Sequence, residues 1–185
     1  MRYSLSDAGE VWVRPVERDD AKELQRAFAL LSEASRYQRF HTGLPVLGDR
    51  LAEFFTDVDH TSHEALVAVP TEESRTIVGV ARFIRDEDAP HQADLAFTVA
   101  EEWQGRGLAT LLLRLLSERA RDEGIRTFTL HLLADNTAVL ALVRSAGGES
   151  SEAGTGVVSA QIDLGLRPSG LHLGGCKARP SRQVR

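Results

Sequence analysis

Gln104-Gly105-Arg106-Gly107-Leu108-Ala109-Thr110 reads as a glycine-punctuated turn that opens a helix directly after a strand, and the rest of the chain can be placed around it. Upstream, residues 93–99 (Ala-Asp-Leu-Ala-Phe-Thr-Val) alternate apolar with small or polar side chains, which predicts a strand with one face in a core. Downstream, Leu108, Leu111, Leu112, Leu115 and Leu116 recur at helical spacing as far as Gly124, a C-terminal stop. At such a junction the first-turn N–H groups lack intrahelical partners and sit at the positive end of the helix dipole, which makes an anion cradle. Gly105 and Gly107 let a phosphate approach the backbone without meeting a Cβ, Arg106 can add a charge-assisted contact, and Gln104 can brace the turn. Two glycines could also do no more than shape the connection. The spacing is not G-x-x-x-x-G-K-[ST], and Thr110 replaces the third glycine of G-x-G-x-x-G, so a nucleoside-triphosphate loop and a dinucleotide fingerprint are both disfavoured.

The run from Gln104 to Ala109 has the form Q-x-x-G-x-[GA] and resembles the acyl-CoA-binding motif of the GCN5-related N-acetyltransferase (GNAT) superfamily. The surrounding elements fall in that family's order: a strand to Val99, Glu101-Glu102-Trp103, a long amphipathic helix, a strand from Thr127, and a helix opened by Asp135-Asn136. That last helix, Asn136 to Gly148, aligns with the pattern N-x-x-A-x-x-L-Y-x-x-x-G-F. The resemblance covers roughly residues 11–164. It implies an α/β fold with a mixed, mostly antiparallel sheet of six or seven strands and about four helices, splayed between the fourth strand, ending at Val99, and the fifth, starting at Thr127. It implies acetyl-CoA as cofactor, with Val99, Gln104, Gly105, Arg106, Gly107, Leu108, Ala109, Thr110 and Asn136 around it. In this scheme the Val99 N–H polarises the thioester carbonyl, and Asn136, which would look the same as a plain N-cap, lies near the pantetheine or diphosphate.

Acetyl transfer requires an amine without its extra proton, a thioester carbonyl held by donors, and a thiolate able to leave. Protein-acetylating relatives often use a glutamate near the start of the fourth strand as base, and Asp94 stands there. Being one methylene shorter, it is suited to act through a water, or it is simply a structural carboxylate. His91 is a second candidate, an imidazole matched to proton abstraction near neutrality. Residues Ser32 to Phe40 resemble the S-x-x-S-x-Y-x-R-F stretch of bacterial protein-lysine acetyltransferases, which puts Tyr37, Arg39 and Phe40 along the acceptor channel. The other reading makes Tyr37 and Phe40 core aromatics and Arg39 an ion-pair partner. Two positions depart from the family: Val143 stands where many relatives carry a tyrosine acid, and Gly148 where a phenylalanine is usual. The resemblance therefore implies transfer to a primary amine, a protein lysine first and a small-molecule amine second. A non-catalytic acyl-CoA-binding module is the alternative from outside the enzymes.

The 185 residues, 42% hydrophobic and 26% charged, suit one globular domain over 1–165. No run is apolar enough to cross a bilayer, and Met1 to Asp7 lacks the core of a secretory signal, so a cytoplasmic location without membrane contact is expected. Arg167, Lys177, Arg179, Arg182 and Arg185 make 166–185 a basic tail, predicted to be disordered; removing those five charges from the net −5 leaves −10 on the remainder. An acidic body disfavours nucleic acid and favours cationic acceptors. Cys176 is the sole cysteine, and His60 and His63 lie in an expected loop, so no metal site is predicted. His131 reads as a satisfied strand histidine. The chain is expected to be a monomer or homodimer.

Val11 to Val16 predicts a strand, Arg18-Asp19-Asp20 an N-cap, and Leu24, Phe28 and Leu31 the inner face of a helix. A second helix is expected over Leu47–Phe55 with Leu51, Phe54 and Phe55 inward. Residues 64–69 and 76–84 form a hairpin, and 149–152 with 157–164 a closing one.

Overall fold

The computed structural model describes residues 1–5, 9–71, 76–154 and 156–165, so the expected disorder of the basic tail lies outside the described residues. Among those residues the strands are β1 (Arg2–Leu5), β2 (Gly9–Pro15), β3 (His63–Pro70), β4 (Gly79–Arg85), β5 (Gln92–Val99), β6 (Thr127–Leu133), β7 (Glu149–Gly154) and β8 (Val157–Asp163). They form one sheet in the order β1-β2-β3-β4-β5-β6-β8-β7. The helices are α1 (Ala21–Leu30), α2 (Glu33–Phe40), α3 (Asp49–Thr56), α4 (Leu108–Asp122) and α5 (Thr137–Ser145). The α/β architecture is as expected, with one more strand and one more helix. The added strand is β1, whose Tyr3 and Leu5 turn into the core. The added helix is α2, which has no buried residue and hence no apolar stripe to betray it; Ser32 caps it by accepting from the Ser35 N–H at 3.1 Å.

Neighbouring strands are antiparallel except β5 and β6, which run parallel and are linked through α4. Their pairing lasts only three residues, Gln92 to Asp94 against Thr127 to Thr129. Beyond that point β5 stays on β4 as far as Val99, β6 stays on β8 as far as Leu133, and a gap opens between them.

Each face of the sheet carries its own core. Leu108, Leu111, Leu112 and Leu116 of α4 pack with Ala81, Phe83, Leu95 and Phe128, and Val143 of α5 and Ala146 just after it join them. Burying side chains of this size stabilises the fold by about 1.5–3 kcal/mol each. A Cβ on Gly79 would lie 3.0 Å from Leu108 Cδ2, so this glycine brings β4 close beneath the start of α4. On the opposite face α1 and α3 bury Leu24, Phe28, Ala52 and Phe55 against Ala65, Val67 and Val80. Phe54, expected inward, is 51% exposed, because α3 presents only one side to the sheet and Ala52, Phe55 and Thr56 occupy it. Asp20 is the N-cap residue of α1, as expected, but its side chain makes no bond to that helix: Arg14 holds its carboxylate through two 2.6 Å bonds, and the Glu17 N–H donates to it at 2.8 Å.

Candidate active site

The gap between β5 and β6 continues into a cleft of about 590 Å³. Its floor is Leu95 to Val99 of β5 and Leu130 to Leu132 of β6; Asn136, the N-cap of α5, and Ala138 and Leu142 within that helix wall it, and the turn before α4 closes one end. Backbone alternation decides which polar groups face it. The Ala100 N–H donates to the Val78 carbonyl at 2.9 Å, toward β4. Stepping back along the strand, the main-chain groups of Thr98 and Ala96 face β4 as well, and those of Val99 and Phe97 face the gap. The Val99 carbonyl is taken by Gln104 Nε2 at 3.0 Å, the brace expected of that glutamine.

Gly105 and Gly107 both have positive φ, 70° and 83°, and nothing lies within 4 Å of where a Cβ would stand on either. Gly107 is the N-cap of α4, and its carbonyl receives the helix's first bond, from the Leu111 N–H. The N–H groups of Leu108, Ala109 and Thr110 have no acceptor among the described residues and open on the cleft, which all three residues line. An open, unpaired donor set at a helix N-terminus, with room over both glycines, suits a diphosphate. The Arg106 guanidinium lies 6.0 Å from the Trp103 ring and does not line the cleft.

Asn136 lines the cleft while its side chain accepts from the Val139 N–H at 3.2 Å as the α5 N-cap, so both readings of this residue meet at one position. Val143 is 1% exposed and turned into the core, so the position of the family's tyrosine does not reach the cleft here. Ser145 of α5 also lines the cleft, and its Oγ donates to the Leu142 carbonyl at 2.7 Å.

Asp94 lies just beyond the floor, where β5 and β6 part, on the face it shares with Ala96 and Thr98. It is exposed, and Thr129 Oγ1 donates to its carboxylate at 3.0 Å. His91 is exposed ahead of the strand, farther from the gap, and its carbonyl ties down the Arg126 and Thr127 amides. The two are not brought together. His131 lines the cleft with Nδ1 3.3 Å from Ser159 Oγ.

The α2 residues divide. Tyr37 is 50% exposed and lines no part of the cleft, so it is no core aromatic. Phe40 packs edge-on against Phe28 at 5.5 Å and near Phe55. Arg39 lines the cleft beside Ser35 and Gln38. Glu101, just after β5, accepts from the Ser32 N–H at 2.9 Å and so ties the start of α2 to the loop that leads into α4. Slight burial pushes its pKa up, but the bonds from Ser32 and Ser35 outweigh that and hold it at about 2. Arg82, which the periodicity reading did not single out, lies on β4 close to Arg39; a charge within the apolar run Ile77 to Ile84 is the signal that marks it. His60 and His63 face Glu64 and Arg82 respectively, and no cluster fit for a metal occurs among the described residues.

The fold and the split sheet with its helix-terminal donors define an acyltransferase architecture. The family model for the acetyltransferase (GNAT) family matches residues 24–147, and the chain belongs to that family. It is 29% identical over 154 residues to the acetyltransferase Pat of Mycolicibacterium smegmatis, covering 83% of this chain and 45% of that protein. It is 31% identical over 124 residues to the acetyltransferase PA5475 of Pseudomonas aeruginosa, covering 66% of each. The chain thus spans less than half the length of the first relative and about two thirds of the second. The GNAT domain of S. lividans PAT superposes with a TM-score of 0.81 at 29% identity, over 88% of this chain and 96% of that one. At 17% identity, yncA of Salmonella typhimurium, solved with its cofactor acetyl-CoA, shares the fold with a TM-score of 0.68 over 86% of this chain and 96% of its own. The family uses acetyl-CoA. No helix among the described residues is long and apolar enough to cross a membrane.

Proposed function

We propose that this chain transfers an acetyl group from acetyl-CoA to a primary amine, the side chain of a protein lysine, by direct attack in a ternary complex. The observation that carries the reading is the unpaired donor set of Leu108, Ala109 and Thr110 at the mouth of the β5–β6 gap. Acetyl-CoA supplies the activated thioester. The first turn of α4, with Gly105 and Gly107, binds its diphosphate; Gln104 fixes the turn against β5, and Asn136 borders the pantetheine arm. The Val99 N–H, facing the gap, donates to the thioester carbonyl and favours the charge that develops there. Arg106, stacked near Trp103, contributes positive charge at the rim and no direct bond.

Asp94 acts as the base that relieves the amine of its proton through a water, its carboxylate oriented by Thr129. His91, beyond the start of the strand, is the lesser candidate. A buried Val143 leaves no side-chain acid at that position, and a thiolate is a good enough leaving group to depart near neutrality without one. The protein-lysine acceptor is supported by the likeness of Ser32 to Phe40 to protein-lysine acetyltransferases, with Arg39 lining the acceptor side and Tyr37 exposed on the same helix.

Titration calorimetry with acetyl-CoA tests the binding half. Gly107→Glu places a carboxylate in the cradle; there is space for the side chain, but the φ of 83° strains it, so loss of affinity is expected with some loss of stability and an unchanged circular-dichroism spectrum below the melt. Unchanged affinity overturns the site. Thiol release with lysine peptides tests the transfer half; binding with no turnover on any amine favours a non-catalytic module.

A further inference from the structure

Charges buried among the described residues are otherwise neutralised. Asp20 is clamped by Arg14, and Glu64, 1% exposed, receives Arg119 Nη1 at 2.6 Å and His60 Nδ1 at 2.9 Å. Arg82 breaks the pattern. It is 4% exposed and forms no ion pair. Its Nη1 donates to the Phe55 carbonyl and approaches His63 Nε2, each at 3.2 Å, and its guanidinium lies 4.0 Å from the Phe55 ring centre. Its Nε and Nη2 groups have no acceptor among the described residues.

Nearby stands a second guanidinium, half-buried and also without an ion pair among the described residues. Arg39 lies 4.8 Å from the Phe40 ring and donates no hydrogen bond to any described residue. The carboxylate whose field reaches it is Asp94, which is outside ion-pair distance and already engaged by Thr129. Burial, and then the charge of Arg39, lowers Arg82 to about 9, and burial lowers Arg39 to about 10. Two cations held close together, one buried and one half-buried, repel each other, and an anion between them offsets that cost. Aromatic faces offset part of that cost, but they supply no acceptor for the free N–H groups.

Both arginines line a cavity of about 50 Å³ between the sheet and α1 to α3, otherwise walled by apolar residues such as Leu24, Phe28 and Phe55. The sequence makes room for it: Arg82 is flanked in register by Ala65 on β3 and Ala96 on β5. Ala96, Phe97, Thr98 and Arg39 line this cavity and the coenzyme cleft alike, so the two adjoin across β5.

We infer that the Arg39–Arg82 cavity is an anion subsite of the acceptor channel, which takes a carboxylate carried by the amine substrate itself. The inference rests on the amine-acceptor reading above and narrows it. With the carboxylate against the guanidiniums, the amine of the same molecule lies along Ala96 to Thr98, next to the point where β5 and β6 part. The cavity admits one small planar anion, and paired N–H groups of arginine match a carboxylate in shape as well as charge. An acidic body that draws in amines thus holds one local positive site that orients them. The carboxylate has two sources, an acidic side chain next to the target lysine or the α-carboxylate of a free amino acid.

Two measurements test this on the full chain. The first does not depend on catalysis: melting is followed with sodium formate and, at matched ionic strength, sodium chloride. Formate is expected to raise Tm of the wild type beyond chloride, and to lose that advantage in Arg82→Met and in the more peripheral Arg39→Gln. Equal effects of the two salts, or an advantage retained in both variants, overturn the anion site. The second compares kcat/KM for lysine peptides carrying Glu or Gln beside the lysine, and for free amino acids against their amides. A preference of about tenfold or more for the carboxylate member of one pair is expected, falling to about one in Arg39→Gln. Equal rates within both pairs overturn the acceptor assignment. If no amine is acetylated, the transferase reading falls, while the formate arm still decides whether the cavity binds an anion.

Discussion

Gly148 has no space for a side chain: a Cβ there would stand 2.5 Å from the Gln161 carbonyl oxygen and 2.7 Å from Val143 Cγ1. The loss of the family's phenylalanine and the loss of its tyrosine are therefore one local arrangement, in which Val143 fills the core and the next turn closes over it. Gly148→Ala should destabilise the fold by about 1–3 kcal/mol, read as a lower urea midpoint with unchanged slope; an unaltered midpoint would show that the turn gives way freely. At the floor of the cleft the residue in question is Asp94. Asp94→Asn keeps the size and the bond from Thr129 but removes the base, so kcat on a lysine peptide should drop by about 10²-fold or more while acetyl-CoA affinity holds. An undiminished kcat would pass the role to another group, His91 first.

At the scale of the element, β3, β4 and α3 meet around His63, whose ring lies 5.2 Å from that of Phe54 and whose Nε2 faces Arg82. Burial first, and then the charge of Arg82, lowers this imidazole from 6.5 to about 4. The unfolded chain takes up the proton near 6.5 and the folded chain only near 4. This group's contribution to stability is thus complete above about pH 6.5, declines as the pH falls toward 4, and changes no further below that. Urea midpoints of wild type and His63→Gln between pH 4 and 7 should converge toward the acid end; parallel curves would mean His63 titrates normally. Neighbouring α2 shows why an element can escape a periodicity reading. Its order comes from the Ser32 cap and from Arg36, which donates to the carbonyls of Leu31 and Pro45 at 3.0 Å, and neither leaves an apolar pattern.

Across the whole molecule, the cleft joins residues of β5, β6, α2, α4 and α5, so a ligand there couples both layers of the fold. Acetyl-CoA at a hundred times its dissociation constant should stabilise the chain by about 2.7 kcal/mol. For a domain of this size that is a rise in Tm of about 5–10 °C, and Gly107→Glu should abolish it. A wild-type melt indifferent to acetyl-CoA would remove the coenzyme from this cleft. Much of this was legible beforehand where the cause is local. Glycines at positive φ, the leucine spacing of α4 with its stop at Gly124, and the alternation of β5 are set by residues close in the chain. The exposure of Phe54 and the pairing of the Asp20 side chain are not legible, because both depend on neighbours: Ala52 and Phe55 fill the inner side of α3, and Arg14, not the α1 amides, holds the carboxylate of its N-cap residue. By itself, then, the sequence determined the family, the order of the elements other than β1 and α2, and the donor turn before α4, since these depend on short-range spacing. Only the tertiary structure decided that β5 and β6 part after three residue pairs, that Val143 is sealed in the core, and that Arg39 and Arg82 share a cavity in which no described residue supplies a counter-charge. Those outcomes arise from contacts between segments far apart in the chain, where packing and charge compensation are settled only once the sheet has closed.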